Sequence, residues 1–304
     1  MTIGQTSEAQ SRYNRGRLMT WAAYASVFAG SLLTVIKLIA FVFTGSVALL
    51  TSLIDSLIDV VASLINMFAV KQSLIPADDE HRFGHGKVES LAGLAQAAFI
   101  FGSVLFILFE AVNKLVNPVK VEHGMLGIGV MLISIVVTIT LVLFQRHVIR
   151  KTGSVAISAD SVHYASDLWF NISVIVAIVL SYYFDFILAD PVIALGIAVY
   201  IIYNAWRIAM TCLDQLMDRE LPDEDRENIR QIALAHSDVK DVHGLRSRAS
   251  GQDIFIQLHL EMDHKLDLET AHAIALDVEE KICAAYPNAD IIIHQDPDTE
   301  KNKG

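Results

Sequence analysis

The sequence is poor in charge. Only 19% of its 304 residues are Asp, Glu, Lys or Arg, against 53% hydrophobic, whereas globular chains usually carry about a quarter charged residues. That deficit excludes a mostly disordered chain and argues against an ordinary soluble enzyme. With two cysteines, Cys212 and Cys283, the chain has neither a disulfide framework nor a four-thiolate zinc site, and no structural need for an oxidising compartment. Six prolines and 16 glycines exclude a collagen-like or Pro-rich chain. There is no H-E-x-x-H string (Glu80-His81 lacks its second His), no P-loop and no G-x-S-x-G. Metalloprotease-type, ATP and serine hydrolysis therefore find no support, and the chain reads as a non-enzyme.

Negative charge is unevenly placed. Residues 1–213 hold 13 Lys+Arg and 13 Asp+Glu and are neutral; residues 214–304 hold 10 and 21, which gives the whole net charge of −11. An acidic segment of this kind speaks against nucleic acid as a partner and suits cations.

About 20 apolar residues cross a bilayer. Uncharged stretches at 18–36, 38–54, 90–109, 124–145, 168–184 and 192–206 give six spans, the first two drawn as helices over 16–43 and 46–72 around Thr44-Gly45-Ser46. Asn117-Pro118 separates spans 3 and 4, and Asp190-Pro191 reads as cap and first residue of span 6. Ala23-Tyr24-Ala25 is weakly cleavage-like, but the apolar run continues well past it, so span 1 is expected to be retained.

Lys and Arg mark the cytoplasmic side. Arg12, Arg15, Arg17, Lys71, Arg82, Lys87, Arg146, Arg150 and Lys151 fall on one side, and only Lys114 and Lys120 on the other. Both termini are thus expected in the cytoplasm. The tail reads α-β-β-α-β: a helix from Pro222, strands at Asp241–Arg248 and Asp253–Met262, a helix at Leu268–Tyr286, and a short buried strand at Ile291-Ile292-Ile293. The fold class is a polytopic α-helical membrane protein with six transmembrane helices and a C-terminal cytoplasmic α+β domain. The expected divisions are an N-terminal tail at 1–15, a membrane domain at 16–214, a cytoplasmic domain at 215–297 and a short tail at 298–304.

Ionisable residues inside a span are expensive and mark function by default. Span 2 carries Asp55 and Asp59, and span 5 carries His163 and Asp167. Each pair is spaced i,i+4, on one helix face. Carboxylates held together repel, and a divalent cation relieves that. One imidazole and three carboxylates can close a tetrahedron, and the N/O set suits Zn²⁺, Cd²⁺, Fe²⁺ or Mn²⁺ better than Cu⁺. A proton relay, or salt bridges to Lys37 of span 1, would also account for these acids. One Lys against three carboxylates leaves the group short of positive charge. Asp160, one turn before His163, reads as a helix-end residue rather than a ligand. Asp78, His81 and His85 form D-x2-H-x3-H in the loop between spans 2 and 3, whose glycines allow tight turns. Six of the 11 histidines lie in the tail. His243, His259, His272 and His294, with Asp296, can converge on the sheet, while His236 and His264 read as surface residues.

These residues resemble the cation diffusion facilitator family, most of all its bacterial zinc/iron efflux branch. The likeness rests on D-x3-D in span 2, H-x3-D in span 5, the loop Pro76-Ala-Asp-Asp…His…Phe-Gly-His-Gly-Lys87 and the terminal Ile-Ile-Ile-His-Gln-Asp-Pro, and it runs from about residue 12 to 297. It implies a homodimer in the bacterial inner membrane, Y-shaped, whose cytoplasmic domains have a metallochaperone-like fold and which exports Zn²⁺ in exchange for protons by alternating access. Cd²⁺ and Fe²⁺ are further cargoes the resemblance admits. It implies a transport site of Asp55, Asp59, His163 and Asp167, a loop site of Asp78, His81 and His85, and a cytoplasmic binuclear site of His243, His259, His272, His294 and Asp296 beside Gln295. Lys87 and Asp218 match a charge interlock near the dimer interface. Asp298 stands where some relatives have Cys. The rival readings are a divalent-cation channel gated by a metal-sensing domain, and a sensor without transport. A channel would line a wide pore with rings of acids or carbonyls, whereas a compact His/Asp site suits binding and release.

Overall fold

The computed structural model describes residues 3–116, 125–184 and 188–298. Asn117-Pro118 and Lys120, and the tail beyond Asp298, lie outside the described residues. The chain divides into two compact units, one of residues 15–213 and one of 1–14 with 214–304.

The first unit is built from α1 (Ile3–Thr44), α2 (Val47–Ser73), α3 (Lys87–Val116), α4 (Met125–Thr152), α5 (Val155–Phe184) and α6 (Ala189–Leu216). All six are long and apolar enough to cross a membrane. Glycines break the chain where it must reverse. Gly45 (φ 62°) follows α1 and Gly153 (φ 66°) follows α4, and each amide closes the preceding helix by donating to the carbonyl four residues back, Phe41 and Ile149. α1 starts well before residue 16, because nothing in Ser7–Arg15 stops a helix. α6 starts at Ala189, so Asp190 is not its cap. Its carboxylate instead takes a hydrogen bond from Lys114 Nζ at 3.0 Å.

Small residues let helices of this unit approach closely, beside larger buried side chains such as Met19, Ile100, Ile157, Tyr164 and Ile201. Ala97, Ala159, Ala209 and Cys212 pack α3, α5 and α6 together, and a Cβ at Gly93 would stand 2.7 Å from Cys212 Sγ. Many bulky side chains point outward, among them Trp21, Phe28, Phe43, Phe68, Phe106, Phe109 and Trp206. An apolar exterior of this extent belongs in lipid, not in water.

The second unit holds α7 (Asp223–Leu234), β1 (Asp241–Ser250), β2 (Asp253–Met262), α8 (Leu268–Ala285) and β3 (Ala289–Pro297). The sheet order is β1-β2-β3, with β1 antiparallel and β3 parallel to β2. Period-2 alternation puts Ile256, Leu258, Leu260 and Met262 on one face of β2, in a core with Ile229 and Ala233 of α7 and Ile274, Val278 and Ile282 of α8. Asp267 caps α8, accepting from the Thr270 amide at 2.7 Å. β3 is longer than its three isoleucines and is not uniformly buried. It is an edge strand, and Ile292 points away from the core at 59% exposure.

Candidate metal centres

On α2, Asp55 and Asp59 lie one turn apart; on α5, His163 and Asp167 do the same. α2 packs on α5 so that His163 Nε2 lies 3.0 Å from Asp59 Oδ1 and 3.9 Å from Asp167 Oδ2. One donor atom from each of Asp59, His163 and Asp167 lies within 4.8 Å of the others. His163 is only 7% exposed. Asp55 is outside this group of three but lines the same cavity of about 950 Å³, together with Lys37, Ser52, Ser56, Ser134 and Thr138. The arrangement puts an imidazole between two carboxylates inside an apolar helix bundle, a donor set that could hold a cation.

Asp160 departs from its sequence reading. It is fully buried rather than a helix-end residue, because α5 begins five residues earlier and turns this face toward α1 and α4. Its Oδ2 accepts from Ser26 Oγ at 2.5 Å and from Gln145 Nε2 at 2.7 Å. Tyr164 Oη donates to the Ser26 carbonyl and bonds Ser63 Oγ at 2.9 Å. Sequence reasoning had no route to this network, since its members come from α1, α2, α4 and α5. It also missed Glu89, buried on α3, which accepts hydrogen bonds from Ser154 Oγ and the Ala156 amide at the start of α5.

In the α2–α3 loop, Asp78 Oδ1 accepts from the His81 amide at 2.6 Å and the Glu80 amide at 3.0 Å. Those amides, that of His81 first, hold the Asp78 carboxyl below its ordinary range. His81 Nδ1 lies 3.3 Å from Oδ1 and His85 Nε2 3.6 Å from Oδ2. Gly84 (φ 73°) makes the turn between the two histidines.

The second unit gathers its histidines by register. His243 pairs with His259 across β1/β2, and His259 with His294 across β2/β3, so one row of the sheet carries three imidazoles on the face away from the helices. Asp296 joins them. Its Oδ2 lies 2.8 Å from His259 Nδ1 and 3.2 Å from His243 Nε2, and its Oδ1 lies 3.2 Å from His294 Nε2. Burial pushes the Asp296 carboxyl up, but the His259 hydrogen bond and the neighbouring imidazoles outweigh it, leaving the group below its ordinary range. Gly244 (φ 61°) is required beside them, since a Cβ there would meet His259 Cδ2 at 2.8 Å. His272 is not brought into this cluster. It is exposed on α8, which covers the opposite face of the sheet. His236 is half-buried, with Nε2 3.5 Å from Asp277. His264 Nδ1 lies 2.8 Å from Asp298 Oδ1, and Lys240 also bonds Asp298. Lys87 opens α3, and Asp218 lies in the other unit with its Oδ1 3.1 Å from Arg248 Nη1.

A model of the cation efflux transmembrane domain matches residues 23–217, and one of the cation efflux protein cytoplasmic domain matches residues 221–298. The chain belongs to the cation efflux family. As a cation efflux protein it is a multi-pass membrane protein. It is 48% identical over 282 residues to the cation-efflux pump FieF of Citrobacter koseri, covering 93% of this chain and 94% of that one. FieF of Cronobacter sakazakii is 47% identical over 285 residues, covering 94% and 95%. Among solved structures, the Zn form of CzrB is 30% identical, matching 29% of this chain and all of its own, with a TM-score of 0.26.

Proposed function

We propose that this chain exports Zn²⁺ from the cytoplasm in exchange for protons, binding the ion at Asp55, Asp59, His163 and Asp167. The observation that supports this most is the meeting of Asp59, His163 and Asp167 inside the span bundle, with donor atoms within 4.8 Å of one another. Two carboxylates and a neutral imidazole match the donor preference of Zn²⁺, and Cd²⁺ and Fe²⁺ remain further cargoes. The same groups bind protons, so metal and proton exclude each other at the site. His163 is the natural acceptor, because an imidazole must be neutral to hold a metal and can take a proton on the same nitrogen once the metal leaves. A tenfold proton gradient is worth about 1.4 kcal/mol per proton. Exchange of one proton per ion would sustain about a tenfold metal gradient with no membrane potential. It moves one net positive charge outward, which an inside-negative potential of about 100 mV opposes by about 2.3 kcal/mol, whereas two protons per ion move no net charge.

Asp78, His81 and His85 would take metal in the loop. His243, His259, His294 and Asp296 would hold resident metal on the sheet, where it supplies a cross-link among three strands. His272 lies across the sheet from that cluster, so an imidazole from this position reaches it only from a second copy. The chain would act as a homodimer, with its two cytoplasmic domains joined by metal and its state biased by cytoplasmic Zn²⁺. Lys87 and Asp218 would add a charge pair near that dimer interface. The orientation has both termini in the cytoplasm, in the inner membrane of a bacterium.

The test is Zn²⁺ uptake into proteoliposomes with an acidic lumen, for the parent and for Asp59→Asn. The reading expects saturable uptake that grows with the pH difference and is lost in the variant. Uptake that ignores the gradient would favour a channel, and binding without uptake a sensor.

A further inference from the structure

Lys37 lies on α1, in its apolar part, seven residues before the helix ends at Thr44. Its side chain reaches across to α2. Nζ donates to Ser56 Oγ at 2.6 Å and to the Ser52 carbonyl at 3.2 Å. Ser52 and Ser56 flank Asp55 and Asp59 on the same helix. Lys37, Asp55, Asp59 and Asp167 all line the one cavity. Among the described residues Lys37 makes no ion pair with any of them, although its charge acts with those of Asp59, Asp167 and Asp55. The ammonium is thus held by two uncharged oxygens, within the field of three carboxylates but bonded to none.

We propose that Lys37 sets the net charge of the transport cavity so that a divalent cation, and not one of another valence, neutralises it. This rests on the reading that Asp55, Asp59, His163 and Asp167 bind the transported metal. The charge arithmetic is short. A metal-ligating His163 is neutral, so three carboxylates and one ammonium leave two negative charges. A divalent ion brings the cavity to zero. A monovalent ion leaves it negative and a trivalent ion leaves it positive, and excess charge in an apolar span is costly. The serines matter because they keep the ammonium off the carboxylates. A lysine paired directly with Asp59 would compete with the metal for its ligand; one held at Ser52 and Ser56 counts in the total without occupying a donor. Its repulsion of the bound ion also eases release, which a transporter needs and a storage site does not.

The test uses the full-length protein, with Cd²⁺ and Tb³⁺ as probes, for the parent, Lys37→Gln, Lys37→Arg and Asp59→Asn. Asp59→Asn gives the background from the loop and cytoplasmic clusters. Without the ammonium, Cd²⁺ should bind the cavity at least tenfold more tightly and turn over at least tenfold more slowly in proteoliposomes. Tb³⁺ should gain a site that competes with Cd²⁺. Lys37→Arg, which keeps the positive charge, should rescue the parental pattern. Lys37→Met, which keeps the apolar stem, replaces Lys37→Gln if that variant does not fold. Parental Cd²⁺ affinity and turnover in the uncharged variants, or no rescue by Lys37→Arg, would overturn the proposal while Asp59→Asn still abolished flux. If Asp59→Asn itself kept parental binding and flux, the transport-site reading and this one would fall together.

Discussion

Asp59 Oδ1 and His163 Nε2 lie 3.0 Å apart although 104 residues separate them in the chain. The contact joins α2 to α5 one helical turn from a further carboxylate on each helix, Asp55 on one and Asp167 on the other. Replacing Asp59 by Asn keeps the shape and removes a charged donor. Loss even of a residue that only orients a ligand costs about 10–100-fold in metal affinity, so loss of a ligand should cost at least as much. Isothermal titration of the detergent-solubilised protein with Zn²⁺ should show one class of sites gone in Asp59→Asn, with the cytoplasmic sites unchanged.

Asp160 tests a different property. It binds Ser26 and Gln145 and touches neither Asp59 nor Asp167 by hydrogen bond. Asp160→Ala removes the acceptor shared by Ser26 and Gln145, which keep only the Ala22 carbonyl and each other, and loss of buried hydrogen bonds of this kind costs about 1–3 kcal/mol. The expected outcome is a lower thermal midpoint in detergent, with the Zn²⁺ affinity of the folded fraction within about threefold of the parent. A parental midpoint would show that the network does not hold α1, α4 and α5 together.

Gly244 can be tested on the cytoplasmic unit within the full chain. Alanine there would face a left-handed backbone penalty of about 1–2 kcal/mol and a contact of 2.8 Å with the His259 ring. His259 must turn away, so Gly244→Ala should retain its circular dichroism spectrum yet bind Zn²⁺ at the His243/His259/Asp296 cluster at least about tenfold more weakly. Unchanged affinity would mean that the ring position is not needed.

Acid should loosen the same unit. Asp298 is held well below the carboxylate range by the Lys240 hydrogen bond, then by the His264 amide and ring. A depressed folded value means the stabilisation is complete above the unfolded carboxylate value, about 3.9, and is lost as pH falls below it. Thermal midpoints should therefore drop below about pH 4, less steeply in Asp298→Asn. Added salt should weaken the effect, because the Lys240 and Asp298 groups are partly solvated. A profile identical in parent and variant would contradict the assignment.

The spans and both i,i+4 pairs were legible because charge is so scarce there that each ionisable residue stands out. The pairing of Asp59 with His163 was not read from spacing, which gives a helix face but not the neighbour it meets. Packing of α1 and α4 on α5 decided the fate of Asp160, and no local pattern encodes that. In the tail, alternation gave β2 with its two faces. The convergence of His243, His259 and His294 depends on strand register, and the separation of His272 from them on which face α8 covers. Lys37 was visible as one cation against three acids, but its serine partners on α2 were not.

The most direct measurement records lumenal pH when Zn²⁺ is added outside proteoliposomes that start with no pH gradient. The account predicts that the lumen becomes alkaline as Zn²⁺ enters, at a rate that saturates with Zn²⁺, and that Asp59→Asn shows neither movement. Zn²⁺ entry with no change in lumenal pH, or parental entry in Asp59→Asn, would contradict it.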